Sequence, residues 1–129
     1  YLNNYILINY SMPKKNIMID IDGTVSDDIP NEMEHLFLTA NVEKDAVQYV
    51  NKLYDMENTR ITFFTARKEE SRKDTEEWLN KNGFKYHELL MNKPRGGNYI
   101  WIDNLDVTGI KYNSETNGWK NIFENLYQK

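Results

Sequence analysis

The sequence predicts an α/β fold, in which a parallel β-sheet carries helices on both of its faces. Short apolar runs alternate with amphipathic helical patterns along the chain, and clusters of polar residues directly follow the apolar runs. In sheets of this kind, ligands bind beyond the carboxyl ends of the strands. The repeated placement of polar clusters after the runs therefore indicates a functional site at that end of the sheet.

Four apolar runs have the character of strands. All but His87–Met91 are rich in β-branched or aromatic residues and abut polar or glycine-containing sequence, whereas His87–Met91 precedes the Lys93-Pro94 break. The four runs cover Asn16–Ile21, Arg60–Thr65, His87–Met91 and Tyr99–Ile102. The leading residues allow a further short strand over Tyr5–Tyr10, although an upstream extension or a processing remnant explains them equally well.

Helical patterns separate the predicted strands. The apolar spacing over Val42–Tyr54 predicts a helix of about four turns with one apolar stripe. Glu69–Asn82 is mostly charged and predicts a second helix, with Gly83 as its C-terminal stop. A short helix near Glu32–Leu38 and an amphipathic helix over Trp119–Tyr127 complete the pattern.

Length and composition limit the domain organisation and the function classes. A chain of 129 residues fits one domain, which we place at 16–129 after an N-terminal extension, 1–15. No apolar run approaches the roughly 20 residues of a membrane span. No secretion signal is visible either, so a cytoplasmic location is expected. The absence of cysteine excludes disulfides and thiolate nucleophiles, and the net charge of −4 argues weakly against a nonspecific nucleic-acid binder.

The first strand ends in the most informative motif of the chain, Asp20-Ile-Asp22-Gly23-Thr24. Side chains alternate along a strand, so the two carboxylates can lie on one face. They repel each other unless a cation, a proton or a hydrogen-bond donor lies between them. Asp20 could attack phosphorus to form an aspartyl-phosphate, and Asp22 could then move the proton of the leaving group. Gly23 permits a sharp turn.

Three later clusters offer matching chemistry. The Thr65 hydroxyl and the Lys93 ammonium can bind phosphoryl oxygens after their strands. After the fourth run, Asp103 offers a carboxylate for a hard cation, for which magnesium fits best. Candidate metal ligands are Asp20, Asp22, Asp103, Asn104 and Asp106, and candidate phosphate-binding residues are Gly23, Thr24, Ala66, Arg67 and Arg95.

The four motifs in this order resemble the signature of the haloacid dehalogenase (HAD) superfamily, over Asn16 to about Asp106. The resemblance implies a three-layer, Rossmann-like parallel sheet. It also implies that Asp20 is the nucleophile, Asp22 the acid/base, and Thr65 and Lys93 the residues of the second and third motifs. A second aspartate followed by Gly-Thr is similar to the phosphatase branch rather than to the dehalogenases.

Motif spacing leaves no room for a cap domain. About 40 residues separate Thr24 from Thr65, and predicted helices use them; one helix and one strand fill the stretch from Thr65 to Lys93. Capless members of the superfamily leave the site open to bulky substrates, or covered by a neighbouring subunit of a homo-oligomer. Val25–Pro30 and Lys93–Gly97 would form its mobile rims.

The sequence therefore predicts a magnesium-dependent phosphomonoesterase that acts through an aspartyl-phosphate on a sugar phosphate or another small phosphorylated metabolite. One alternative is a phosphatase of nucleic-acid 3′ ends, which the acidic composition disfavours. Another is a non-catalytic module that binds a phosphate ligand or a protein. Retention of both Asp20 and Asp22 argues against that module, because a pure binder has no need of the second acid.

Overall fold

Three parallel strands form one sheet in the computed structural model, which describes residues 15–127. The strands are β1 (Lys15–Ile19), β2 (Thr59–Phe64) and β3 (Glu88–Leu90), and β2 lies in the middle. Three of the four predicted apolar runs are thus confirmed as strands. The candidate strand Tyr5–Tyr10 lies outside the described residues, and Lys15 is the first residue of β1.

Three α-helices and two 3₁₀ helices pack around the sheet. The α-helices are α1 (Ala46–Asp55), α2 (Arg72–Lys81) and α3 (Trp119–Tyr127), and the 3₁₀ helices span Asn31–Thr39 and Glu69–Ser71. Helix α1 contacts β2 and α3, whereas α2 contacts the first 3₁₀ helix. Helices are present in all four predicted regions, with 3₁₀ helix near Glu32–Leu38 and at Glu69. The helix predicted from Val42 begins only at Ala46, because Asp45 has a left-handed backbone and Val42 bridges to Ser26. Residues 15–127 contain no cap domain between the elements of the sheet.

A single apolar core joins the sheet to the helices. Alternate residues of the strands face it, so that Ile17 pairs with Ile61, and Ile19 with Phe63, across β1 and β2. The apolar stripe of α1 is buried at Ala46, Val50 and Leu53, and α2 buries Trp78 and Leu79. The fully buried apolar residues of this core are Ile21, Val25, Ala46, Val50, Ile61, Phe63, Trp78 and Leu79.

The predicted strand Tyr99–Ile102 is wrong in this structure. Residues 98–111 contain no helix or strand, and the side chains of Ile100 and Ile102 are 85% and 93% exposed. The apolar run has strand propensity, but a strand also needs a partner backbone for its hydrogen bonds. Within the described residues β1 pairs only with β2, so this run joins neither edge of the sheet. No described helix is both long and apolar enough to cross a bilayer.

Candidate active site

Asp20 and Lys93 meet at the carboxyl end of the sheet. Asp20 directly follows β1, and Lys93 lies three residues beyond the end of β3. The Lys93 Nζ atom donates to Asp20 Oδ1 at 2.8 Å, and the Thr24 hydroxyl donates to Asp20 Oδ2 at 3.3 Å. The Asp20 side chain is 39% exposed, whereas that of Lys93 is 14% exposed. The carboxylate of Asp20 is therefore oriented by two donors and remains accessible from solvent.

The loop after Asp20 turns sharply enough to present its side chains to the site. The backbone N–H groups of Thr24, Val25 and Ser26 all lie within hydrogen-bond distance of the carbonyl of Ile21. Gly23 has φ +80°, a left-handed conformation that disfavours side chains. The glycine of the first motif is thus required by the backbone.

Arg67 binds Asp22 through both carboxylate oxygens. Its Nε atom donates to Oδ2 at 3.0 Å, and Nη2 donates to Oδ1 at 2.8 Å. The Arg67 side chain is fully buried, its Nη1 atom donates to the hydroxyl of Thr75, and its guanidinium lies 3.8 Å from the ring centre of Phe37. Arg67 was predicted to bind phosphate, but the structure places its donors on Asp22 and Thr75 instead.

The pKa of Asp22 is raised above its ordinary value of 3.8. Burial is the largest cause, because it disfavours the charged carboxylate. The hydrogen bonds and charge of Arg67 lower the pKa, and the nearby charges of Asp20 and Asp28 raise it further. Asp22 consequently keeps its proton to higher pH than a free aspartate, which suits a general acid.

Thr65 and Ala66 form the turn that carries Arg67. Thr65 is fully buried, and its hydroxyl oxygen accepts the backbone N–H of Arg67 at 3.1 Å. The carbonyl of Thr65 accepts the backbone N–H of Lys93, and the carbonyl of Ala66 accepts the side-chain amide of Asn31. The Thr65 hydroxyl can still donate its own hydrogen. The structure thus brings the second and third motifs together beside the first.

Within residues 15–127, no hydrogen bond or ion pair joins the other predicted site residues, Arg95, Asp103, Asn104 and Asp106, to Asp20. The Arg95 guanidinium lies 3.7 Å from the Glu32 carboxylate, and both side chains are more than half exposed. Asp103, Asn104 and Asp106 lie in the exposed segment after residue 98. Asp103 accepts hydrogen bonds from the Trp101 side chain and the Leu105 backbone, which lower the pKa of its carboxyl.

A magnesium site built from clustered carboxylates is incomplete in the described part of the chain. Residues 15–127 contain no group of three or more histidine, cysteine, aspartate or glutamate side chains arranged to hold a metal ion. Both oxygens of Asp22 already accept hydrogen bonds from Arg67. Asp20 remains a suitable hard donor, because magnesium is often held by one or two carboxylates together with substrate phosphate. The assignment of Asp103, Asn104 and Asp106 as ligands stays a prediction.

Several residues that support the site are absent from the sequence-based assignment. Phe37 and Thr75 enclose Arg67, and Trp119 donates its indole N–H to the carbonyl of Thr24 at 2.8 Å. The sequence predicted an amphipathic helix over Trp119–Tyr127, but the 95 residues that separate Trp119 from Thr24 concealed the contact. Only the folded chain shows that the C-terminal helix supports the catalytic loop.

A family model described as the polynucleotide kinase PNKP phosphatase domain matches residues 14–99. That stretch includes the first three motifs and ends before Asp103. No curated protein is similar enough to this chain to count as a relative.

Solved structures share the fold at low sequence identity. A chain of the Pnkp1/Rnl/Hen1 RNA repair complex is 23% identical, with a TM-score of 0.54 over 63% of this chain. Another structure titled as the Pnkp1/Rnl/Hen1 complex gives the same values, and this chain spans only 26–28% of those two chains. A protein from Vibrio cholerae is 19% identical, with a TM-score of 0.54 over 87% of this chain and 98% of its own length.

Proposed function

The chain belongs to the family of polynucleotide kinase PNKP phosphatase domains, in the HAD superfamily, and from this we propose that it is a phosphomonoesterase acting through an aspartyl-phosphate on Asp20. The observation that carries the proposal is that two carboxylates at one end of the sheet differ in exposure and in hydrogen-bond partners. Asp20 is accessible and faces Lys93 and Thr24, whereas Asp22 is more buried and faces Arg67. Different environments suit a nucleophile and an acid/base.

In the first step, an oxygen of Asp20 attacks the phosphorus atom. Oδ2 is the freer oxygen, since its hydrogen bond from Thr24 is 3.3 Å long, whereas Oδ1 is held by Lys93 at 2.8 Å. A bond forms between Oδ2 and phosphorus while the bond to the leaving oxygen breaks. Asp22 donates its proton to that oxygen, so a neutral alcohol leaves. Lys93 offsets negative charge on the phosphoryl oxygens.

In the second step, water hydrolyses the aspartyl-phosphate. Asp22, now ionised, accepts a proton from the water as its oxygen attacks phosphorus, and the bond from phosphorus to Asp20 breaks. Arg67 holds both oxygens of Asp22 throughout, which fixes the carboxyl without consuming all of its lone pairs. The cycle returns Asp20 ionised and Asp22 protonated, and it releases inorganic phosphate.

Magnesium is the proposed cofactor, held by Asp20 together with the phosphate of the substrate. When bound there, it would neutralise charge on the phosphoryl group. The proposal draws on the family and on the oxygen donors at the site. The described residues supply the remaining chemistry through Lys93, Thr24 and Asp22.

The substrate has two candidates. A small phosphorylated metabolite agrees with the acidic composition and the net charge of −4. A nucleic-acid 3′ end is favoured by the family model and by fold similarity to a chain of the Pnkp1/Rnl/Hen1 RNA repair complex. The absence of a cap between the motifs leaves room for either.

One panel tests the function and the choice of substrate. Phosphate release is measured from sugar phosphates, nucleotides, 3′-phosphorylated oligonucleotides and phosphopeptides, with magnesium and with chelator. We expect turnover by the natural sequence and none by Asp20→Asn, a nearly isosteric variant with no nucleophilic carboxylate. Turnover that survives in Asp20→Asn would overturn the aspartyl-phosphate mechanism. Binding of phosphate compounds without turnover of any substrate would favour the non-catalytic module.

A further inference from the structure

A polar cleft adjoins the catalytic loop at Gly23. Its volume is about 320 Å³, and its lining combines Gly23 and Glu43 with the C-terminal turn Tyr112–Glu115. That volume lies at the lower end of the range for small-molecule sites. Gly23 belongs to the loop between Asp22 and Thr24, and the Thr24 hydroxyl binds Asp20, so the cleft adjoins the loop that holds the nucleophile. None of the mechanistic steps above uses its other lining residues.

Three contacts fix the walls of the cleft. The Trp119 indole donates to the carbonyl of Thr24 at 2.8 Å, which ties the C-terminal segment to the catalytic loop. The Tyr112 hydroxyl donates to Glu43 at 2.8 Å, and burial together with that carboxylate raises the pKa of Tyr112 to about 12. The tyrosine therefore stays a donor at neutral pH. The backbone N–H of Glu43 binds the carbonyl of Val25. These contacts hold Tyr112 and Glu43 in place before a ligand arrives.

The free polar groups in the cleft suit sugar hydroxyls. Asn113, Ser114 and Glu115 are exposed, and within residues 15–127 no hydrogen bond engages the Ser114 hydroxyl, the Glu115 carboxylate or the Asn113 Nδ2 atom. Carboxylates accept hydrogen bonds from hydroxyl groups, and the amide and hydroxyl donate to them. None of the lining residues is basic, whereas two are glutamates. The cleft therefore disfavours a second phosphate and favours a neutral, hydroxyl-bearing group.

We infer that this cleft binds the hydroxyl groups of the leaving alcohol, next to the phosphate ester that Asp20 attacks. The inference rests on the proposed function and adds a substrate class, a phosphorylated sugar with free hydroxyls. Free sugar phosphates and the terminal ribose of RNA share this chemistry. The 3′ end of DNA lacks the neighbouring 2′-hydroxyl, so the cleft gives it fewer partners.

The first experiment compares KM values for substrates with and without hydroxyl groups. The variants are Ser114→Ala and Glu115→Gln, singly and together, with Glu124→Gln on the exposed side of α3 as the matched control. We expect the double variant to raise KM about tenfold for ribose 5-phosphate and for a 3′-phosphorylated oligoribonucleotide. Its kcat/KM for p-nitrophenyl phosphate, which has no hydroxyl group, should stay unchanged. Equal effects on all substrates would overturn the inference.

Two further comparisons identify the source of the hydroxyl groups and distinguish failure of the cleft from failure of the proposed function. If the double variant raises KM for the oligoribonucleotide but not for its deoxyribonucleotide counterpart or for ribose 5-phosphate, the cleft binds hydroxyl groups of RNA. If it raises KM for ribose 5-phosphate alone, the cleft binds a free sugar. A second readout needs no turnover: D-ribose is titrated into ¹⁵N-labelled protein, and the amide signals of Gly23, Ser114 and Glu115 are followed by NMR. Shifts at those signals that are lost in the double variant support the cleft even if every substrate fails. Active enzyme with no such shifts would overturn the cleft and leave the proposed function intact.

Discussion

Arg67 and Asp22 are joined by two hydrogen bonds, with donor–acceptor distances of 3.0 and 2.8 Å and an Arg67 side chain that is 0% exposed. Paired hydrogen bonds of this geometry fix the orientation of a carboxyl group and stabilise it when it is ionised. Because Thr75 and Phe37 enclose the guanidinium, it cannot swing out to a substrate without unpacking that side of the protein. We therefore regard Arg67 as the residue that positions Asp22.

Replacing Arg67 should affect both folding and catalysis. Arg67→Met leaves the Asp22 carboxyl without its partner, and we expect a loss of about 3 kcal/mol in the free energy of unfolding. The control is Arg60→Met, because Arg60 pairs with Glu88 on the surface and should lose less than about 1 kcal/mol. Urea unfolding measures both. Equal losses in the two variants would contradict a buried, structural pair.

The raised pKa of Asp22 should appear in the pH dependence of stability. The folded protein binds a proton at Asp22 over a range in which the unfolded chain has lost it. The unfolding free energy should therefore decrease as pH rises from about 3.8 through the higher native pKa. Comparing the natural sequence with Asp22→Asn isolates this contribution, and Asp55→Asn, at a surface pair with Lys85, is the control. A contribution that grows over the same range would mean that Arg67 outweighs burial.

The sequence predicts the site better where a motif lies on a paired strand. Asp20, Thr65 and Lys93 follow three consecutive strands of one parallel sheet, so alternation and strand order were enough to bring them together. The same reasoning placed Tyr99–Ile102 in the sheet, and it was wrong because apolar alternation does not specify a partner backbone. The partner of Arg67 was likewise hidden, since Asp22 is 45 residues away and no local pattern links them.

The exposed segment after residue 98 allows a direct test of whether the Tyr99–Ile102 run is an unpaired segment or a buried strand. Ile100→Asp should change the free energy of unfolding by no more than about 0.5 kcal/mol, since the Ile100 side chain is 85% exposed. Ile61→Asp places a charge at a fully buried position of β2 and should cost more than about 4 kcal/mol. Chemical unfolding of the two variants decides the question. A loss of several kcal/mol in Ile100→Asp would show that this segment is buried in solution, as a paired strand would be.

Lys93 should act on the chemical step. Lys93→Met keeps most of the side-chain volume and removes the ammonium that lies 2.8 Å from Asp20. We expect kcat to fall on the order of 100-fold, since charge stabilisation of a transferring phosphoryl group is lost. Lys73→Met, on the exposed surface of α2, is the matched control and should keep its activity. If kcat is unchanged while KM rises, Lys93 binds substrate and transition state equally and contributes only to affinity.

Magnesium dependence distinguishes two ways of holding the ion. If Asp20 and the substrate phosphate hold it, as we propose, a chelator should abolish turnover, and Asp103→Asn should leave the half-saturating magnesium concentration within about twofold of its original value. The exposed position of Asp103 and its hydrogen bonds to Trp101 and Leu105 support this expectation. Loss of a direct ligand should instead raise that concentration at least as much as loss of a supporting residue does, which is about tenfold. Such a rise in Asp103→Asn but not in Asp106→Asn would assign Asp103 to the metal and require residues 98–111 to reach the site.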